Sequence, residues 1–349
     1  MIKLLENFYR VVGIDLGTAN TLVYVKGHGI VVDQPTLIAV NNRTEQILAI
    51  GDEAKKMLDR VPAHVTLIKP LMSGVISDFE MTEEILKHFL KEAGGKSFVS
   101  RYRLAAITVP TSLTEVERKS VEDAVVSAGA AKVLLVEEPI ASAIGMRLSV
   151  EEPMANLVIN IGGGSTEISI ISVGGAVKSK SIKIAGQQFN DDIIRYMKSE
   201  YKILIGEPTA EIVKISVGSA IQMEDRKEIA VRGRDVSSGL PKEVSVKSNH
   251  IRAAIQKSLR GISDAVKDLL EESPPELVGD VYEKGIYLAG GGALLRGFDQ
   301  YLSRELSVKT TLVDDPLTCA VRGLGIIIED LPKYETILSN QNRPSPINL

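Results

Sequence analysis

The chain has one cysteine, four scattered histidines, no excess of positive charge and no long apolar run, and each shortage removes a class of function. A single thiol, Cys319, cannot form an internal disulfide and fits a reducing compartment. His28, His64, His88 and His250 stand far apart without ligand spacing, so a histidine-based zinc site is not expected. A net charge of −4 and a pI near 5.8 argue against a nucleic-acid binder, which needs a clustered basic face. No stretch approaches the ~18–20 apolar residues of a membrane-spanning helix, and no secretory signal is visible. The G-x-x-x-x-G-K-[ST] and G-x-G-x-x-G fingerprints are missing too, which weakens P-loop and Rossmann readings.

What remains is an ordinary globular composition, 44% hydrophobic and 25% charged over 349 residues. That length gives room for two domains of roughly 100–200 residues. Two segments resemble one another: VVGIDLGTANTLVYV (Val11–Val25) and LVINIGGGSTEISII (Leu157–Ile171). Asp15, Gly17 and Thr21 fall on Asn160, Gly162 and Thr166 at one offset, 160 − 15 = 145. Each segment is β-branched on both flanks and small or polar at its tip, so each predicts strand, turn, strand. Leu104–Val109 and Val133–Val136 predict further strands. Thr114–Ala128 predicts a helix, with Thr114 and Glu117 as a capping box and Gly129 as its stop. A helix over Ile140–Arg147 is expected after Pro139.

The second half has the same alternation. His250–Glu271 carries Ile251, Ile255, Ile262, Val266 and Leu269 at helical spacing and stops before Pro274. A strand over Gly285–Leu288, the run Gly290-Gly291-Gly292-Ala293 and a short helix follow. This predicts two α/β domains with partly parallel sheets. The boundary is expected near Arg147–Ala155, with Leu317–Ile328 returning as a helix to the first domain and Asn340–Leu349 as a loose tail.

A turn of small residues after a strand points several backbone N–H groups at one place, a nest for phosphate oxygens. Gly17-Thr18-Ala19-Asn20 and Gly162-Gly163-Gly164-Ser165 are two such turns, and Asp15 sets a carboxylate just before the first. One glycine triplet alone is usually a plain tight turn; three glycine-rich turns, two of them related, suggest a nucleotide held between two domains.

These residues carry a resemblance. GIDLGTANTLVYV, VEEPIASAIG, IGGGSTEISII, TAEIVK (Thr209–Lys214) and YLAGGGALLRG resemble the actin/sugar-kinase/heat-shock-chaperone ATPase superfamily. VPTSLTEVERKSVEDA, GLPKEV and PPELVGD, which have no part in nucleotide contact, narrow it to the bacterial actins of the MreB family, from about Arg10 to Leu331. The resemblance implies an actin-like ATPase fold: two duplicated α/β domains around a nucleotide cleft, each with a smaller subdomain. Domain I would span 1–147, rejoined by about 315–349; domain II would span 148–314, its small subdomain about 181–246. ATP and Mg²⁺ are the implied cofactors, and copies of the chain the implied partners in a filament.

Position by position, the resemblance implies that Asp15 orients Mg²⁺-bound water and that Gly17, Thr18, Ala19 and Asn20 hold the β- and γ-phosphates. Gly162, Gly163 and Gly164 would cradle their other side, Glu211 and Lys214 would meet ribose and adenine, and Gly290, Gly291, Gly292 and Ala293 would flank the adenosine. Without it, Glu211 and Lys214 read as a solvated i,i+3 ion pair. Glu138 would polarise the attacking water, with Ser165 supporting it; Glu137 also reads as a helix-start acid favoured by the dipole. Asn160 departs from the family pattern, in which aspartate is expected. Asparagine keeps an acceptor oxygen but loses the charge. Either turnover is slow, or Asp15 and the phosphates suffice.

The family works beneath the cell membrane, and two segments are candidates for that contact. In MIKLLENFYR, Ile2, Leu4, Leu5 and Phe8 share one side of a helix; the alternative is a tail packed on its own domain. Phe98 and Val99, among Lys96, Arg101 and Arg103, resemble the family's exposed apolar loop; the alternative is that Phe98 folds back. The implied role is a cytoskeletal ATPase at the inner membrane face, working with the cell-wall elongation machinery and other shape-determining membrane proteins to maintain rod shape. A filament protein with weak or lost hydrolysis is the alternative that Asn160 keeps open. A heat-shock chaperone would need a peptide-binding domain, for which the roughly twenty residues after Leu331 leave no room. A sugar kinase would need an acceptor pocket and a base, and no candidate stands out.

Overall fold

A computed structural model describes residues 10–58, 60–95, 102–224 and 227–341. Ile2, Leu4, Leu5, Phe8, Phe98 and Val99, the candidate membrane residues, lie outside the described residues. Among those described, no helix is long and apolar enough to cross a membrane.

Two five-stranded sheets carry the structure, and they share one topology. In the first, strands Arg10–Leu16, Asn20–Val25 and Gly29–Pro35 form an antiparallel meander, and Tyr102–Val109 and then Val133–Glu137 add in parallel on the other side of the first strand. In the second, Asn156–Ile161, Thr166–Ser172 and Gly175–Ile182 form the meander, and Ile286–Ala289 and Thr310–Leu312 add in parallel. The match extends to register. Asp15 pairs Leu22 and Leu16 pairs Thr21; Asn160 pairs Glu167 and Ile161 pairs Thr166, again at 160 − 15 = 145. Both turns close with the same bond, Gly17 N–H to the Asn20 carbonyl at 3.1 Å and Gly162 N–H to the Ser165 carbonyl at 2.9 Å.

Each sheet has its own apolar core, built around Ile14, Phe89 and Ile107 in the first and Ile159, Phe189 and Phe298 in the second. A third cluster draws Val136 from the first sheet and Val158 and Ile171 from the second, with Ile140, Ile144, Leu324 and Ile328 from two helices. Each fully buried Leu, Ile or Phe contributes about 1.5–3 kcal/mol relative to exposure. The two helices are Glu138–Gly145 and Cys319–Glu329, and they cross backbone to backbone. A methyl group on Gly145 would fall 1.9 Å from the Cys319 carbonyl oxygen, and one on Gly323 would fall 1.7 Å from that of Ala141. The second helix packs on the first sheet, where a methyl group on Gly13 would fall 2.8 Å from Leu324 Cβ.

Two three-stranded sheets are added at a distance from this crossing. One comprises Ile47–Ile50, Ile38–Asn41 and Val65–Ile68; the other comprises Ile203–Leu204, Glu228–Asp235 and Pro241–Lys247. The capping box of Thr114 and Glu117 is formed as expected.

Some boundaries differ from expectation. The Glu138–Gly145 helix starts before Pro139, because a proline in the first turn lacks only an N–H that has no helical partner there anyway. The long helix begins at Ser248, two residues early. The triplet opens a 3₁₀ turn, Gly291–Leu294, before the helix Phe298–Leu306. A last helix, Leu331–Gln341, takes Asn340 out of the expected tail, since Tyr334, Ile337 and Leu338 bury in the third core and tie the segment down.

Candidate functional site

The matched hairpins place the sequence-predicted residues at the ends of adjoining strands. Asp15 is half-buried beside the end of its strand, and its Oδ1 accepts a bond of 2.7 Å from Thr108 Oγ1 on the neighbouring parallel strand. Burial pushes the Asp15 carboxyl above its usual range, and the Thr108 bond opposes that shift. Asn160 is 6% exposed, and its Nδ2 donates to Glu138 Oε1. Glu138 opens the first of the crossed helices. Its carboxyl is pushed well up by burial first, then by the charges of Asp15 and Glu167; the Asn160 bond pulls the other way. Glu137, on its strand's last position, is also pushed up by burial, and Arg118 at 3.5 Å opposes this.

The two turns face each other. A methyl group on Gly163 would stand 2.7 Å from Ala19 Cβ, and one on Gly164 would stand 2.9 Å from Thr18 Oγ1. Side chains larger than hydrogen at either glycine would therefore close the gap between the turns. A third element reaches the same place. The strands Leu71–Met72 and Val75–Ile76 form a hairpin whose central residues, Ser73 and Gly74, have φ of 51° and 79°, the pairing that a tight two-residue turn requires. Gly74 N–H donates to Thr18 Oγ1 at 2.9 Å. Ser165 is buried at this junction, 3.5 Å from where a Gly74 methyl would lie.

Glu211 and Lys214 form the i,i+3 ion pair at 2.7 Å, on the helix Glu207–Val217. They are also tied to the second turn. Lys214 Nζ donates to the Gly186 carbonyl at 3.0 Å, while Gly186 N–H and Gln187 N–H donate to the carbonyls of Gly162 and Gly163 at 3.1 and 2.8 Å. Asn190 Nδ2 donates to Glu211 at 2.7 Å. Gly290, at φ +83°, lies against the strand end: a methyl there would be 2.6 Å from Asn160 Oδ1 and 2.3 Å from the Ile161 carbonyl. Gly292 approaches Ile161 as closely, and Leu317 lies over Gly291. Ala293 is buried, and its N–H bonds back to the Gly290 carbonyl at 3.2 Å. Asn20 is turned outward and donates to Asp33 at 3.3 Å.

Sequence reasoning missed Glu167, Thr108, Ser73, Gly74, Gly186 and Asn190. Glu167 is 1% exposed; its Oε1 accepts from Ser181 and its Oε2 from Thr111 at 3.2 Å. Burial pushes its carboxyl up as well. A charged residue inside the fully buried strand Thr166–Ser172 was the available signal, as was the polar Thr108 in the apolar run LAAITV.

Chemically, the site combines two facing glycine-rich turns with a tight group of acids. Among the described residues, no three His, Cys, Asp or Glu side chains are placed to hold a metal by themselves. The donors are all oxygen, the Asp15 carboxylate and the Asn160 carbonyl, and a set that small suits a hard cation that keeps its waters and leans on phosphate oxygens. A groove of about 570 Å³ lined by Ser219, Gln222, Lys247 and Arg252 lies elsewhere and includes none of the candidate residues.

Comparison with known proteins agrees with this layout. The family model described as MreB/Mbl protein matches residues 9–336. The cell shape-determining protein Mbl of Bacillus subtilis is 43% identical over 326 residues, 93% of this chain and 98% of that one. The cell shape-determining protein MreB of Escherichia coli is 43% identical over 326 residues, 92% and 94% of the two chains. Among solved structures, MreB5 of Spiroplasma citri bound to AMPPNP aligns with a TM-score of 0.90 and 38% identity, covering 94% of this chain and 98% of that one. The MamK double helical filament aligns at 0.79 with 21% identity over 93% and 100%, a likeness of fold.

Proposed function

Because the chain belongs to the MreB/Mbl family and has the actin-like fold, we propose that it is a cytoskeletal ATPase whose filaments guide cell-wall synthesis at the inner membrane face and maintain rod shape. The observation that carries this reading is the meeting of the two glycine turns beside Asp15 and Glu138. In the proposal, domain I is 1–147 with about 315–349, and domain II is 148–314. The turns Gly17–Asn20 and Gly162–Gly164 hold the phosphates from two sides. Glu211 and Lys214 take the ribose and adenine, beside Gly290–Ala293.

Asp15 and Asn160 would hold the water shell of Mg²⁺, which when bound offsets the charge of the phosphates. Thr108 holds one oxygen of the Asp15 carboxylate and so limits its rotation, which supports that role. Glu138 takes the proton of the attacking water, and burial raises its proton affinity, the direction that favours a general base. Ser165 supports the same water. A slow turnover is favoured by one observation: the Asn160 amide occupies Glu138 Oε1, one of the two oxygens of the base.

Titration calorimetry with ATP and Mg²⁺, then ATP-dependent sedimentation with phosphate release, tests the core of the reading. No nucleotide heat and no pellet would overturn it. For the membrane part, Ile2, Leu4, Leu5 and Phe8, with Phe98 and Val99, are the proposed contacts; many weak contacts add along a filament. Deleting residues 1–9 together with Phe98→Ser and Val99→Ser should abolish pelleting with liposomes.

A further inference from the structure

Lys69 and Glu207 are 138 positions apart, yet Lys69 Nζ stands 2.7 Å from both carboxylate oxygens of Glu207. Lys69 follows the small-sheet strand Val65–Ile68, and Glu207 opens the helix that carries Glu211 and Lys214. Each partner is one short segment from the candidate site. After Lys69, the Pro70 carbonyl accepts from Ser77 N–H and Ser77 Oγ, both at 2.9 Å, and this pins the base of the hairpin Leu71–Ile76. The tip of that hairpin bonds to Thr18 in the first turn. On the other side, Glu207 sits one helical turn before Glu211, and Lys214 is bonded to Gly186, which is bonded to the second turn. The ion pair therefore joins the hairpin that meets one turn to the helix that is tied to the other.

We propose that the Lys69–Glu207 pair is a strap across the nucleotide site, closed in this structure, whose opening sets how fast a bound nucleotide leaves. This rests on the nucleotide-binding reading above. The two side chains are 35% and 44% exposed, so water and salt reach the pair and it opens without unfolding either element. Nζ lies equally close to both carboxylate oxygens, so the pair is formed through the whole carboxylate.

The test is the release rate of a fluorescent N-methylanthraniloyl-ADP from the full chain with Mg²⁺, chased by excess ADP in stopped flow. Lys69→Gln and Glu207→Gln should each speed release about two- to fivefold, the scale of one exposed ion pair. The double exchange Lys69→Glu with Glu207→Lys should return the rate to within about twofold of the parent. Raising NaCl from about 0.05 to about 0.5 M should speed the parent and leave the single variants nearly unchanged. Circular dichroism of each variant checks that it is folded. Parental rates in the single variants, or an exchange as fast as the singles, would overturn the strap. A parent that never binds the probe would instead overturn the nucleotide reading beneath it.

Discussion

Changing Asn160 to aspartate swaps the amide that donates to Glu138 for an oxygen facing an oxygen. Two unit charges about 4 Å apart repel by roughly 4 kcal/mol at an effective dielectric constant of about 20, equivalent to about three pKa units. Asp15 and Glu167 already crowd Glu138, so the new charge has no cheap place to go without a cation. A carboxyl whose pKa rises on folding binds more protons folded than unfolded, so stability falls as pH climbs from about 4 through the raised value. Nucleotide-free Asn160→Asp should therefore be less stable than the parent by about 2 kcal/mol at pH 8, roughly half the full repulsion after side chains shift, with the gap closing toward pH 4. Mg²⁺ with ADP should reverse the order, because the added carboxylate then faces a cation. Phosphate release with Mg²⁺ and ATP should rise, since Glu138 regains its second oxygen. Urea midpoints at three pH values, with and without Mg²⁺ and ADP, together with a phosphate-release assay, check all of this. Equal stability at pH 8 without Mg²⁺, and an unchanged rate with it, would refute the reasoning.

Glu138→Gln should lower phosphate release by about 10²–10⁴-fold while calorimetry finds ATP affinity kept; a parental rate would remove Glu138 as the base. Thr108→Val deletes the donor to Asp15 and should weaken Mg²⁺-nucleotide binding about tenfold, with Thr108→Ser recovering it. Gly323→Ala would gain about 1 kcal/mol in a free helix, but here its methyl meets a carbonyl oxygen at 1.7 Å. Net destabilisation of about 1–3 kcal/mol is expected, and a raised urea midpoint would contradict the backbone contact. In the parent, Asp15, Glu138 and Glu167 all have raised carboxyl pKa values, led by burial. Their joint contribution should make the nucleotide-free protein lose stability as pH rises above about 4.3, and Mg²⁺ with nucleotide should flatten the profile.

The frame of the site was legible in the sequence because it depends on local chemistry. Two runs of β-branched residues with small polar tips announce two hairpins, and Thr114 with Glu117 announces a helix start, without reference to anything distant. Glu167 was not legible. Its partners Thr111 and Ser181 are 56 and 14 residues away, and a carboxylate in an apolar run gives no hint of which hydroxyls will reach it. The Ser73-Gly74 dipeptide is a turn signal, but its target, Thr18, is 56 residues upstream. Glu211 and Lys214 lie between these cases. Spacing alone reads them as a solvated ion pair; the pair does form, but Lys214 is only 12% exposed, and only the fold adds its bond to Gly186. Glu138 needed the proline rule applied the other way: Pro139 sits inside the first turn, so the acid before it belongs to the helix.

The two hairpins agree partner for partner, yet their fingertips differ. At matched places one arm carries Asp15, Thr18 and Leu22, and the other carries Asn160, Gly163 and Glu167. Equal arms with unequal contents offer a guest no second way round: turning it end for end would exchange a carboxylate for an amide and a hydroxyl for bare backbone. If a nucleotide lies here as proposed, its sense would follow from where the two arms differ, and any swap that makes them alike should loosen that sense before it loosens the grip.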